Sequence, residues 1–192
     1  MKILVIDNYD SFTYNLVQYI ERIKGMEVKV KRNDKISLDE VEEYQKILIS
    51  PGPGIPEEAG ISKELIKRYG SEKSILGVCL GHQSIAEVYG GSIRNLDTVY
   101  HGVSSEMKII VDDDYLFADV PGVFDAGRYH SWIVEEETFP DCLEITVRNP
   151  EGDIMALRHK TFDVRGVQFH PESVLTEYGG LIIKNWIKGV NN

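Results

Sequence analysis

Residues 74–83 read Ser74-Ile75-Leu76-Gly77-Val78-Cys79-Leu80-Gly81-His82-Gln83, an apolar run that leads into a cysteine with a glycine two positions away on each side. This pattern is typical of a buried strand that turns sharply into a helix, because small residues must flank a turn residue held in a strained conformation. The turn displays the sulfur, and it leaves the backbone N–H of Leu80 pointing at whatever the sulfur attacks. Cys79 is therefore a candidate nucleophile, with a buried structural cysteine at a tight turn as the alternative.

The chain before this stretch alternates between apolar runs and helically spaced apolar residues. The pattern predicts strands at 3–6, 26–30, 46–50 and 74–79, and helices between them at 12–23, 37–44 and 62–69. Asp10 is a possible cap of the first helix. Alternation of this kind predicts a parallel sheet that is covered by helices on both faces.

Helical patterns largely disappear from the sequence after Gly91. Short strands are predicted at 107–111, 143–148, 154–158 and 164–169, with a hairpin turn at 149–153 and a final amphipathic helix at 178–187. The expected fold class is α/β, an open and mostly parallel sheet with helices on both faces and a β-rich second half, built as a single domain over residues 1–192. Open sheets of this type bind ligands beyond the carboxyl ends of their strands, which is where Cys79 lies.

Composition excludes several classes of function. The 192 residues are 42% hydrophobic and carry a net charge of −10, so we expect one well-cored domain and no nucleic-acid partner. Only two cysteines occur, Cys79 and Cys142, and the first apolar run ends at Asp7, so a reducing cytoplasm is expected rather than export or a membrane. Neither a metal-ligand spacing nor a nucleotide-binding motif occurs, which predicts chemistry with no metal and no cofactor.

A cysteine nucleophile usually needs an adjacent base, because a free thiol is only slightly ionised at neutral pH. Of the five histidines, His170 has the most informative setting, since a predicted strand ends there and Glu172 follows two positions later. Residues two apart in an extended segment point to the same side, and Pro171 keeps the segment extended. Cys79, His170 and Glu172 therefore form a candidate triad of nucleophile, base and orienting acid. A polar turn at a strand end is the alternative for the last two.

The third predicted strand ends in Ser50-Pro51-Gly52-Pro53-Gly54. Two glycines interleaved with prolines make a rigid loop whose backbone comes close to its neighbours, so its N–H groups can serve an oxyanion. Neither Lys-Ser nor Lys-Thr follows, which excludes a phosphate-binding loop of that type. A merely stiff turn is the alternative. Together with Cys79, the loop indicates acyl transfer.

Five segments taken together resemble the triad-type (class I) glutamine amidotransferases. They lie at 7–12 (Asp-Asn-Tyr-Asp-Ser-Phe), 50–54, 77–83, 128–131 (Arg-Tyr-His-Ser) and 166–173 (Gly-Val-Gln-Phe-His-Pro-Glu-Ser), and they span nearly the whole chain. The first segment is similar to the chorismate-using subgroup, which comprises the glutaminase subunits of anthranilate synthase and of aminodeoxychorismate (para-aminobenzoate) synthase.

The resemblance implies a reaction and a set of site residues. It implies that Cys79 attacks the side-chain amide of L-glutamine to form a γ-glutamyl thioester, that His170 passes a proton to the leaving ammonia, and that water then releases glutamate. In the family, the oxyanion and the glutamine are held at the positions that correspond to Gly52, Pro53, Gly54, Leu80, Gln83, Ser131 and Trp132. It also implies that His82 and His130 are structural.

Two positions depart from the family pattern. Val103 stands where relatives usually carry lysine, which puts a polar contact of the family in doubt, and Trp132 stands where leucine is common. Trp132 alters the wall of the glutamine pocket, but the contacts there are expected mainly from backbone groups, so glutamine binding should survive. Cys142 is an ordinary thiol in this interpretation.

Ammonia released into neutral water is mostly protonated, so a glutaminase of this size is expected to deliver ammonia directly to a synthase, for which the chain has no room. The first hypothesis is a catalytic subunit that feeds a chorismate-binding large subunit in a hetero-oligomer, to make anthranilate or, alternatively, aminodeoxychorismate. A non-catalytic regulatory subunit and a free-standing γ-glutamyl hydrolase are the other hypotheses. The intact Cys79, His170 and Glu172 argue against the regulatory subunit, and the 7–12 segment argues against the free-standing hydrolase.

Overall fold

The structure, a computed structural model, describes residues 1–189. Within them the strands are β1 (Lys2–Asp7), β2 (Glu27–Arg32), β3 (Lys46–Ile49), β4 (Ser74–Val78), β5 (Ile93–Asn95), β6 (Val103–Ile109), β7 (Val123–Arg128), β8 (Trp132–Val134), β9 (Leu143–Arg148), β10 (Ile154–His159) and β11 (Val164–Val167). The α-helices are α1 (Thr13–Glu21), α2 (Ser62–Tyr69), α3 (Leu80–Val88) and α4 (Gly179–Lys188). Short 3-10 helices lie at Asp39–Glu43, Pro56–Glu58 and Tyr115–Phe117.

Nine strands form one sheet in the order β2-β1-β3-β4-β11-β10-β9-β6-β7, and β5 pairs with β8 in a separate two-stranded sheet. The first five strands of this order are parallel, and the remaining four continue the sheet in antiparallel pairs. Every residue of β3 is buried, as expected for a strand that is covered on both faces. The predicted α/β fold is confirmed, and its β-rich second half supplies the antiparallel part of the sheet.

Helices cover both faces of the parallel strands. On one face, Ile20 of α1 and Trp186 of α4 share a buried cluster with Ile3 of β1. On the other face, Leu65 of α2 and Ile85 of α3 share a second cluster with residues of β1 whose side chains point the opposite way. None of the helices in residues 1–189 has the length and apolar character that crossing a bilayer requires.

Two details of the first half differ from the sequence prediction. The segment at 37–44 forms a 3-10 helix at Asp39–Glu43 rather than an α-helix, because this stretch is acidic and Val41 is its only buried residue, which is too little to form an apolar face. Asp10 does not cap α1 directly. Its carboxylate accepts a hydrogen bond from the N–H of Phe12 (2.7 Å) in the turn that precedes the helix.

Three strands of the second half were not predicted. Strand β7 contains Asp125 and Gly127, which are residue types that strands disfavour, and its hydrogen bonds come from pairing with β6. Strands β5 and β8 have three residues each, which is too short for a periodic signal. The predicted turn at 149–153 is confirmed: it joins β9 to β10, and Gly152 has a φ of +88° there.

Candidate active site

Cys79 stands between β4 and α3 in a strained conformation. Its φ is +52° and its ψ is −98°, a region that costs a non-glycine residue on the order of 1–3 kcal/mol. The N–H of Cys79 donates to the carbonyl oxygen of Val167 (2.8 Å), which ties the turn to the end of β11. The N-terminus of α3 follows directly, and its dipole favours negative charge on the sulfur and on an oxyanion. The sharp turn predicted for Cys79 is confirmed.

The two flanking glycines make this turn possible. A Cβ atom added to Gly77 would lie 2.4 Å from the carbonyl carbon and oxygen of Gly81 and 2.8 Å from the nitrogen of His82. A Cβ atom added to Gly81 would lie 2.6 Å from the carbonyl oxygen of Ile49. Both contacts are with backbone atoms, so a side chain at either position has no way to rotate clear. The requirement for small residues on each side of Cys79 is therefore steric.

Substitution of Gly77 by alanine is expected to lower the free energy of unfolding by about 1–3 kcal/mol, because the new methyl group meets the backbone of α3. Gly122→Ala is the matched control, since an added Cβ at Gly122 meets nothing within 4 Å. The control is expected to change stability by less than about 0.5 kcal/mol. Urea denaturation followed by circular dichroism measures both changes. Equal stability of the two variants would contradict this explanation of the turn.

A cavity of about 200 Å³ opens beside Cys79 at the carboxyl edge of the parallel strands. It is smaller than the ~300–1,000 Å³ of sites for drug-sized ligands, as suits a small substrate. All seven residues predicted to hold the oxyanion or the glutamine line it: Gly52, Pro53, Gly54, Leu80, Gln83, Ser131 and Trp132. The remaining wall is formed by Val99, Tyr100, His101, Tyr129 and His130.

The loop at 50–54 is held against the cavity by Asn8, a residue to which the sequence assigned no individual role. The Nδ2 of Asn8 donates to the carbonyl oxygen of Ser50 (2.8 Å), and the backbone N–H of Asn8 donates to the Ser50 hydroxyl (2.9 Å). A Cβ atom added to Gly52 would lie 2.5 Å from the Cβ of Asn8 and 2.9 Å from Leu80. Gly52 is thus the residue that lets the loop pack between Asn8 and the cysteine turn.

His170 and Glu172 form a buried pair behind the cavity. The Nδ1 of His170 lies 2.6 Å from Oε1 of Glu172, and both side chains are at most 3% exposed. Burial lowers the pKa of His170, but interactions with Cys79 and Glu172 outweigh it and raise that pKa to about 10. The Nε2 of His170 is left for the Cys79 side chain, since it bonds to no other group in residues 1–189. The structure thus brings the three predicted triad residues together.

Two aromatic rings hold the His170 imidazole. The ring of Tyr129 lies with its centroid 4.9 Å from the imidazole, and Phe12 meets it edge-on at 6.3 Å. The hydroxyl of Tyr129 is hydrogen-bonded to Ser173 Oγ (3.0 Å). Both aromatic residues lie in segments that carry the family resemblance, but sequence reasoning assigned a role to neither.

His82 and His130 are neutral in this environment, as their predicted structural role requires. Burial lowers the pKa of His82 to about 4. Burial and the neighbouring Arg128 lower the pKa of His130 to about 3. Neither ring can therefore act as a general acid near neutral pH. Cys142 is a free thiol that is partly exposed and lies outside the cavity lining.

The chain is similar in sequence and in fold to known proteins. A family model described as glutamine amidotransferase class-I matches residues 4–190. Anthranilate synthase component 2 of Cyanophora paradoxa is 50% identical over 192 residues, which cover 98% of this chain and 100% of that protein. Aminodeoxychorismate/anthranilate synthase component 2 of Bacillus subtilis (strain 168) is 49% identical over 188 residues, which cover 97% of this chain and 95% of the relative. The crystal structure of a glutamine amidotransferase from Thermotoga maritima shares the fold, with a TM-score of 0.78 at 18% identity and coverage of 98% of this chain and 81% of that chain.

Proposed function

Because the chain belongs to the class-I glutamine amidotransferases, we propose that it is a single glutaminase domain that hydrolyses L-glutamine and delivers the ammonia to a chorismate-binding synthase subunit that forms anthranilate. The observation that carries the proposal is Cys79 in its strained turn, with the His170–Glu172 pair on one side and the small cavity on the other. The alternative product is aminodeoxychorismate, which the name of the Bacillus subtilis relative includes.

The proposed reaction begins with attack of the Cys79 sulfur on the side-chain amide carbon of glutamine. His170 gives its proton to the departing nitrogen, ammonia leaves, and a γ-glutamyl thioester remains on the sulfur. His170 then takes a proton from water, which attacks the thioester and releases glutamate. Glu172 orients the imidazole throughout and balances its charge.

Backbone N–H groups around the cavity stabilise the oxyanion of both steps. The N–H of Leu80 follows the nucleophile at the start of α3, and the Gly52–Gly54 loop forms the facing wall. A preorganised donor of this kind contributes roughly 3 kcal/mol to transition-state stabilisation. Because Asn8 holds the loop by two hydrogen bonds, the 7–12 segment supports this wall indirectly.

The hydrogen bonds of Gln83 determine which part of the substrate it can hold. Its Nε2 donates to the carbonyl oxygen of Trp132 (2.9 Å) and to Oε1 of Gln168 (3.1 Å), so both of its N–H groups are used. Only the Oε1 of Gln83 remains for a ligand in the cavity, and this atom can only accept. The α-ammonium of glutamine is the matching donor, and we assign Gln83 to it.

Two exposed apolar side chains near the cavity support the proposed synthase partner. Val99 lines the cavity and is 71% exposed, and Val174 is fully exposed next to Ser173, whose hydroxyl is bonded to the cavity-lining Tyr129. Exposed apolar area at the mouth of a site is one feature of a surface that a partner covers. A partner docked there would receive ammonia before water protonates it, and the two chains would form a hetero-oligomer.

Labelling with a glutamine analogue that carries a chloroketone tests the proposed nucleophile. The analogue is expected to modify Cys79 and leave Cys142 unmodified, because only Cys79 lies in the cavity beside His170. Peptide mass mapping locates the modification, and Cys142→Ser is the matched control, which should be labelled at an unchanged rate. Modification confined to Cys142 would refute the assignment.

Identification of the product requires the partner, because the synthase subunit performs the chorismate chemistry. Co-purification of the large subunit and chromatographic analysis of its product distinguish anthranilate from aminodeoxychorismate. The same complex distinguishes the other hypotheses. A regulatory subunit would release no glutamate, whereas a free-standing hydrolase would release glutamate at the same rate with and without the partner.

A further inference from the structure

A continuous set of hydrogen bonds runs from a buried arginine to the Cys79 sulfur. The Nε of Arg128 donates to Nε2 of His130 (3.2 Å), and Nδ1 of His130 bonds to the carbonyl oxygen of Trp132 (3.0 Å). The same carbonyl accepts from Nε2 of Gln83 (2.9 Å), as described above. Gln83 Nε2 also donates to Oε1 of Gln168, whose own Nε2 donates to Cys79 Sγ (3.4 Å).

Arg128 and the carbonyl of Trp132 allow only one direction for these hydrogen bonds. An arginine N–H can only donate, and a backbone carbonyl can only accept. The carbonyl of Trp132 therefore requires the NH2 group of Gln83 to face it, and the same NH2 group then requires the oxygen of Gln168 to face Gln83. The NH2 group of Gln168 is left pointing at the sulfur. These hydrogen bonds fix the orientation of both amides.

His130 obeys the same rule. Because Arg128 donates to its Nε2, the proton of the neutral ring must lie on Nδ1, where it is shared with the Trp132 carbonyl. Arg128 is 1% exposed, and it is further held by Asp153 (Nη2 to Oδ2, 3.3 Å) and by the ring of Tyr100, 3.6 Å below its guanidinium. Arg128, where the set of hydrogen bonds begins, is therefore held rigidly.

We propose that Gln168 is a further catalytic residue, whose side-chain amide donates a hydrogen bond that stabilises the thiolate of Cys79 and fixes the direction of the sulfur. Gln168 is fully buried, its Nε2 reaches the sulfur from the position after β11, and it lies two positions before His170. His130 and Arg128 are positioning residues in this account, since they act on the sulfur only through Trp132, Gln83 and Gln168. The inference rests on the proposed role of Cys79 as nucleophile.

The stabilisation has a simple chemical basis. A thiol is a weak acceptor, whereas a thiolate carries a full charge, and a hydrogen bond to an ionised group is about twice as strong as one between neutral groups. The donor from Gln168 therefore favours the ionised nucleophile over the resting thiol. It also leaves the opposite side of the sulfur for the substrate carbon.

The test uses Gln168→Met, which keeps an unbranched side chain of similar length and removes the donor. In a Cys142→Ser background, the rate of Cys79 alkylation by iodoacetamide is measured against pH. We expect the midpoint of the profile to rise by about one pH unit in Gln168→Met, so that alkylation below the midpoint slows about tenfold. The matched control is Gln18→Met on the exposed surface of α1, for which no shift is expected.

The outcomes separate this inference from the proposed function. A folded Gln168→Met variant with an unchanged midpoint overturns the role of Gln168 and leaves Cys79 as the nucleophile. Glutaminase activity retained by Cys79→Ser overturns the proposed function itself, and the inference with it. Thermal unfolding of each variant establishes that it is folded.

A measurement on the unaltered side chain covers the case in which Gln168→Met does not fold. In protein labelled with 15N-glutamine, the side-chain amide protons of Gln168 are expected to shift downfield with the same pH midpoint as the alkylation profile, because their acceptor becomes charged. Amide resonances that stay constant across this midpoint overturn the inference.

Discussion

Replacement of Cys79 by serine is expected to abolish glutamine-dependent product formation by the complex and to leave ammonia-dependent formation within about twofold of the unaltered protein. A serine hydroxyl is essentially un-ionised at neutral pH, and the shorter side chain no longer places its nucleophilic atom where the Leu80 N–H and His170 converge. Loss of a nucleophile in a hydrolytic triad removes up to about 10⁶-fold in kcat, so we expect a decrease of at least about 10⁴-fold with glutamine. Externally supplied ammonia bypasses the glutaminase site.

The measurement compares product formation from chorismate with glutamine or with an ammonium salt at alkaline pH, using the purified two-subunit complex. Cys142→Ser is the matched control and should lose neither activity. Equal loss of both activities in Cys79→Ser would contradict direct delivery of ammonia. Full glutamine-dependent activity would contradict the role of Cys79.

The second large effect is expected from Glu172→Gln. The carboxylate of Glu172 can only accept from His170 Nδ1, so it holds the proton on that nitrogen and leaves Nε2 for Cys79. A glutamine at this position can turn its NH2 group toward Nδ1 and stabilise the wrong tautomer. The equivalent change in a Ser-His-Asp triad lowers kcat about 10⁴-fold. We therefore expect glutaminase kcat to fall about 10³- to 10⁴-fold.

The pH profile of Glu172→Gln provides a readout that a merely structural defect would not produce. Glu172 is one of the two groups that raise the pKa of His170, so its neutralisation lowers that pKa. The imidazolium is then lost at a lower pH, and the alkaline limb of kcat/KM is expected to move to lower pH. Glu177→Gln on the exposed surface is the matched control, with no change expected. An alkaline limb that stays in place or moves to higher pH would contradict the assigned pairing.

Local rules were sufficient to predict much of the geometry of the candidate site. The requirement for glycine at position 77 comes from a clash with backbone atoms only a few residues away, so it can be predicted without knowing the fold, whereas Gly81 is required because Ile49 of the neighbouring strand β3 lies against it. The pairing of His170 with Glu172 follows from the two-residue period of an extended segment. The rigid loop at 52–54 could be placed beside the cysteine because parallel strands bring their carboxyl ends to one edge.

Other parts required knowledge of which strands are neighbours. The hydrogen bonds from Gln168 to Cys79 and from Asn8 to Ser50 join residues 89 and 42 positions apart, and neither partner shows a local pattern that identifies the other. Strand β7 is stabilised by its hydrogen bonds with β6 rather than by a strong strand propensity of its own sequence, so the sequence did not predict it. The packing of Phe12 and Tyr129 on His170 could not be predicted either, because these residues are far apart in the sequence.

The position of β11 links assembly of the candidate triad to a late segment of the chain. β11 is the last strand within residues 1–189, yet it inserts between β4 and β10 in the middle of the sheet, where Val167 pairs with Val78. A nascent chain that ends before residue 164 lacks His170 and Glu172, and it leaves the edges of β4 and β10 that pair with β11 open. Under the proposed function, such a chain hydrolyses no glutamine, because the proposed base and its orienting acid are not yet present.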